Sequence, residues 1–157
     1  MNKDQRTELF QEYYHLASYV QGYDAHFLLI KSWGITVSAA AIGVGFSTRL
    51  VGSTGRIGLF LVAFVLSIAF WVTEVSFKLI QLAHVYRQSS LESSLREDSY
   101  IKTPAILHSY CQATALDRQR KRWKAVVFWP HVMLPHVLLA ALSLSLLGYQ
   151  LIEQLIG

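Results

Sequence analysis

AVVFWPHVMLPHVLLAALSLSLLGYQLI, residues 125–152, contains no Asp, Glu, Lys or Arg. About 20 consecutive apolar residues carry a helix across the hydrocarbon core of a bilayer, and only helices or closed barrels satisfy their backbone groups there. The stretch reads as a membrane span. Two shorter uncharged runs, Ser32 to Thr48 and Ile57 to Thr73, lie near the lower limit of about 17 residues for a span. The expected fold is therefore an all-α integral membrane protein with three transmembrane helices, at 27–48, 57–77 and 125–152. The whole of 1–157 is read as a single membrane domain, with an N-terminal amphipathic helix at 1–23 and a cytoplasmic helical hairpin at 78–124.

Composition points the same way. Only 15% of the residues are charged and 53% are hydrophobic, against about 25% charged in ordinary soluble domains. An isoelectric point near 9.3 would point a soluble chain toward nucleic acid, but in a membrane protein excess Lys and Arg first report topology. No direct nucleic-acid binding is expected. Lys3, Arg6 and Lys31 precede or enter the first span, and Lys78, Arg87, Arg96, Lys102, Arg118, Arg120, Lys121, Arg122 and Lys124 lie between the second and third. Only Arg49 and Arg56 separate the first two spans, and nothing basic follows the third. Basic loops stay inside, so the N-terminus is expected in the cytoplasm and the C-terminus in the periplasm of a bacterial inner membrane. The largely polar start argues against a cleavable signal peptide. Cys111 reads as an ordinary reduced thiol.

Leu9, Tyr13, Leu16, Ala17 and Val20 form one helical stripe, with Gln11, Glu12 and Gln21 on the other side. This helix either lies on the inner leaflet or, the favoured choice, packs against cytoplasmic helices. Gly22 is expected to end it, and Asp24 to cap a new helix from Ala25. Within the first span Gly34, Ser38, Gly43 and Gly45 belong to small-residue pairs at four-residue spacing, which let helix backbones approach closely. Gly52-Ser53-Thr54-Gly55 is expected to make a tight turn. The second span then runs without a breaker to about Arg96, where Leu79, Leu82, Tyr86, Leu91 and Leu95 offer an apolar edge. Ala105 to Leu116, in a helix returning after Pro104, or a neighbouring subunit is expected to cover that edge.

Glu74 is the most unusual ionisable residue, because an acid within a span is a functional candidate. It forms either a structural ion pair with Lys31 or Lys78, or part of a pore or substrate path. Lys31 is otherwise a snorkelling lysine. His131 and His136 are weak metal or haem candidates, five residues and about 140° apart on a helix, and hydrogen bonding inside the bundle is the plainer account. No metal site or cofactor is expected. Arg118, Arg120, Lys121, Arg122 and Lys124 form a juxtamembrane basic cluster that binds anionic lipid headgroups or, more sharply, a phosphate-bearing ligand. No phosphate loop, nucleophile elbow or acid–base carboxylate pair is complete, so no enzyme is expected.

The segment Asp24-Ala25-His26-Phe27-Leu28-Leu29-Ile30-Lys31-Ser32-Trp33-Gly34-Ile35-Thr36-Val37 resembles the first span of a widespread group of small uncharacterised bacterial membrane proteins with three spans. Phe70, Trp71, Glu74, Phe77, Gln81, Tyr86 and Arg87 are set against the group's second span, which they resemble with three departures: Glu74 stands where the group has Asp, Gln81 stands where it has an acid, and Tyr86-Arg87 are out of register by two. The layout also resembles two-span effector domains of bacterial conflict systems. That likeness implies a homo-oligomeric effector or channel-like protein of a defence or stress system, gated by a cytoplasmic trigger protein or phosphate-bearing ligand. The alternatives are an accessory or immunity-type subunit of a larger membrane complex, and a haem- or quinone-binding redox subunit.

Overall fold

The computed structural model describes residues 2–47, 52–98 and 123–156. Among the described residues there are three long helices: α1 (Lys3–Phe46), α2 (Ser53–Arg96) and α3 (Pro130–Ile156). Each is long and apolar enough to cross a membrane. Residues 123–127 are also helical, and no strand occurs among the described residues.

Several boundaries differ from the sequence reading. α1 runs straight through Gly22 and Asp24. A glycine inside a helix costs only about 1 kcal/mol, less than the buried leucines on the same helix return. Asp24 caps nothing; its Oδ1 accepts a hydrogen bond from Gln81 Nε2 at 2.8 Å. Ser53, Thr54 and Gly55 are already helical, with the Arg56 N–H bonded to the Gly52 carbonyl at 3.0 Å. The apolar stretch of 125–152 is not one helix. It is interrupted at Phe128 and Trp129, and α3 starts afresh at Pro130, because proline lacks the N–H that would continue the preceding turn and suits a first helical position.

The chain divides into two compact units. The first comprises Met1–Phe27 and Ser76–Val126. Its core is leucine: Leu9 and Leu16 of α1 close on Leu91 of α2, with Tyr13 and Leu95 beside them. The apolar edge of α2 at Leu91 and Leu95 is thus covered by α1, while the expected cover, Ala105 to Leu116, lies outside the described residues. Glu12, read as part of the outer polar side, turns to Arg87. The Arg87 side chain is 6% exposed, and its guanidinium grips both carboxylate oxygens, at 3.0 and 3.2 Å, the bidentate geometry in which such pairs are strongest.

The second unit comprises Leu28–Val75 and Val127–Gly157. Its helices each bury one stripe: Gly34, Ser38, Ile42 and Gly45 on α1; Phe60, Ala63, Ser67 and Glu74 on α2; Val132, His136, Ala140, Ser143 and Gln150 on α3. The spacings of three, four or seven residues keep each stripe on one face. Small and polar side chains fill much of this interior. Large apolar ones cover the outside, with Leu28, Trp33, Val65, Leu138 and Leu144 all more than half exposed. Water would penalise that inversion, whereas lipid favours it. Gly34 and Gly45 are close-approach positions: a β-carbon there would meet Phe70 at 3.0 Å and the Phe60 ring at 2.6 Å. Gly43 faces open space instead.

Candidate functional site

One polar cluster draws on all three helices of the second unit. Glu74 of α2 is 2% exposed, and an ionised carboxylate cannot be left there without partners. Its Oε1 receives the Lys31 ammonium of α1 at 3.0 Å, and its Oε2 receives Nε2 of His136 of α3 at 2.8 Å. Because that carboxylate already holds an ammonium, the imidazole must be the donor, which places a proton on Nε2. His136 is wholly buried, and its Nδ1 has no partner.

Lys31 makes a second contact. Its Nζ donates to the backbone carbonyl of His131 at 2.8 Å. In an α-helix that carbonyl would receive the N–H of residue 135, and Pro135 has none. Lys31 supplies the missing donor from another helix, and a carbonyl shielded from water and left without one would be costly. One ammonium therefore serves a carboxylate and an orphaned carbonyl together. Further along the seam, Ser67 Oγ donates to the Ala63 carbonyl at 2.8 Å and lies 3.3 Å from Ser38 Oγ.

Of the residues singled out in sequence, Lys31, Glu74 and His136 come together. Lys78 joins a different set, in the first unit: it bonds Gln81 Oε1 at 2.5 Å and lies 4.8 Å from the Phe27 ring centre. His131 contributes its carbonyl, while its exposed ring rests beside Trp129 at 5.4 Å. Gly34, Ser38 and Gly45 line the buried seam and Gly43 does not. Lys124 is exposed; Arg118, Arg120, Lys121 and Arg122 lie outside the described residues. Among the described residues no group of three or more His, Cys, Asp or Glu is placed to hold a metal ion.

Two polar contacts of the first unit carried little signal in the sequence. The Arg87 and Glu12 pair was legible only in that Arg87 falls four residues before Leu91 on the same face of α2. The bond from Gln81 to Asp24 had no local signal, because its partners are 57 residues apart. In the first unit a groove of about 300 Å³ is lined by Ser18, Tyr19, Gly22, Tyr23, His26 and Phe77. The Tyr19 and Tyr23 rings also approach His84, at 6.3 and 5.5 Å.

No family model, no curated protein and no solved structure matches the chain.

Proposed function

We propose that the chain is a multi-pass protein of the bacterial inner membrane, with a cytoplasmic N-terminus and a periplasmic C-terminus. It acts there as a non-enzymatic, homo-oligomeric effector that perturbs the membrane when triggered from the cytoplasm. The observation that carries this reading is the polar seam of the second unit, in which Glu74 and His136 are buried. Lys31, Glu74 and His136 are stored among three helices whose outer surfaces are apolar. A bundle of this kind rests quietly in lipid, and becomes disruptive once its helices part and present charge to the hydrocarbon. Ala39 and Gly43 are exposed, and Gly43 has open space around it, so a second copy can approach closely along this face. The basic run ending at Lys124 supplies the contact with anionic lipid and with a phosphate-bearing or protein trigger.

Two measurements test it. A reporter fused after Gly157 is expected to be active only in the periplasm, and cytoplasmic activity would overturn the orientation. Induced expression of the wild type and of Glu74→Gln in bacteria, read by a membrane-potential dye, is expected to depolarise the cells, with the variant the stronger. Normal insertion without depolarisation in either would sink the effector reading. A foreign subunit co-purifying in fixed stoichiometry would replace it with the accessory one.

A further inference from the structure

We propose that Lys31 is the latch of a proline hinge in α3. Pro135 sits inside α3 and removes the α-helical donor of the His131 carbonyl. Helices bend at such positions, since the ladder is broken there and the ring crowds the preceding turn. The donor that reaches that carbonyl from outside the helix is the Lys31 ammonium, at 2.8 Å. The same ammonium pairs with Glu74 at 3.0 Å, and Glu74 holds His136, the residue after the proline, at 2.8 Å. The turn before Pro135 is thus tied through its carbonyl and the turn after it through its imidazole, and both ties end on one lysine and its carboxylate.

The members of the cluster differ in freedom. The Glu74 side chain is 3% exposed and that of His136 is 0% exposed, whereas that of Lys31 is 24% exposed. A lysine stem near the end of a span can swing its charge toward the headgroups. Lys31 is therefore the part that moves, and its withdrawal undoes the proline turn and strips a buried carboxylate of its cation in one step. The part of α3 before Pro135 is then released. This proposal rests on the geometry of the second unit and holds whether or not the protein perturbs membranes.

A double-mutant cycle on the full chain tests it, using Lys31→Met, Pro135→Ala and the pair, with thermal unfolding in detergent micelles as the readout. Pro135→Ala restores a backbone N–H opposite the His131 carbonyl, so the helix then closes its own ladder. Lys31→Met is expected to lower the midpoint by about 8 °C when Pro135 is present and by about half that in the Pro135→Ala background, the remaining loss being the Glu74 contact. Equal losses in the two backgrounds would overturn the latch. If Lys31→Met does not fold alone, its recovery by Pro135→Ala supports the proposal, and failure in both backgrounds overturns it. As a second readout, Val132→Cys places a thiol at a position 1% exposed, just before the hinge. With Cys111→Ser as background, Lys31→Met is expected to speed its labelling by a maleimide at least about tenfold, and an unchanged rate would argue against release.

Discussion

The two units use the same kind of rod, a long helix, and differ in what stands beside the apolar residues in their interiors: both bury some of each kind, Arg87 and Gln81 in the first and Ile42 and Phe60 in the second. In the first, Leu9, Leu16 and Leu91 go inside while Gln11, Glu92 and Ser93 stay out. In the second, Ser38, Ser67, Ser143, Glu74 and His136 go inside, while many leucines and valines stay out. Side-chain hydrophobicity alone cannot decide both arrangements. The contrast is the one expected if the two units meet different solvents: apolar burial drives packing where water is the alternative, and close approach with satisfied polar groups drives it where lipid is.

The most direct way to break the comparison is to shorten one leucine in each unit. Leu91 is fully buried in the first unit, so Leu91→Ala is expected to cost about 3 kcal/mol through lost burial and the cavity left behind. Leu138 is 62% exposed on the second unit. In lipid, Leu138→Ala is expected to cost less than about 0.5 kcal/mol, because the removed methyls exchange one apolar contact for another. Unfolding in bilayer nanodiscs measures both. Equal costs would show that Leu138 is packed against protein as Leu91 is, and the contrast between the units would fall.

The buried charge comes next in size. Glu74→Gln keeps the shape but takes the anion from Lys31, and is expected to cost about 2 kcal/mol. That is below the full range of about 3–5 kcal/mol for breaking a buried pair, since Lys31 can turn outward. Insertion into the membrane should be unaffected. A variant as stable as the wild type, with altered ion conductance in planar bilayers, would instead assign Glu74 to a pathway.

How much of this was legible depended on range. The absence of proline from α2, and of glycine beyond Gly58, announced an unbroken helix to Arg96, and the depth of Glu74 against Lys31 announced a pair. Gly22 misled, because its intrinsic cost is local and its compensation, Leu9 and Leu16 closing on Leu91, is not. His136 was visible as a polar group needing a partner, but its meeting with Glu74 across 62 residues was not. Pro135 carried a stronger hint than was read from it: a proline within a span names the carbonyl four residues earlier as the one requiring an outside donor.

The smallest effects sharpen the comparison most finely, because they turn on sign. Gly34 and Gly45 lie where α1 meets α2, and a methyl group at either collides with Phe70 or Phe60. Gly34→Ala is expected to destabilise by about 1–2 kcal/mol, since the crowding involves the Phe70 Cβ, which cannot move without its backbone. Gly45→Ala should cost less, because the struck atom is at the rim of a ring that can rotate away. Gly22 and Gly43 sit in the same helix with nothing within 4 Å of an added β-carbon. There alanine gains helix propensity without a clash, so Gly22→Ala and Gly43→Ala are each expected to stabilise the monomer by up to about 1 kcal/mol. The two separate when copies associate. If the face bearing Gly43 is where a second copy approaches, Gly43→Ala should raise the unfolding midpoint of the monomer and weaken self-association, measured by crosslinking in membranes, while Gly22→Ala leaves association unchanged. Association indifferent to Gly43→Ala would remove that face from the oligomer and leave Gly43 an ordinary lipid-facing residue.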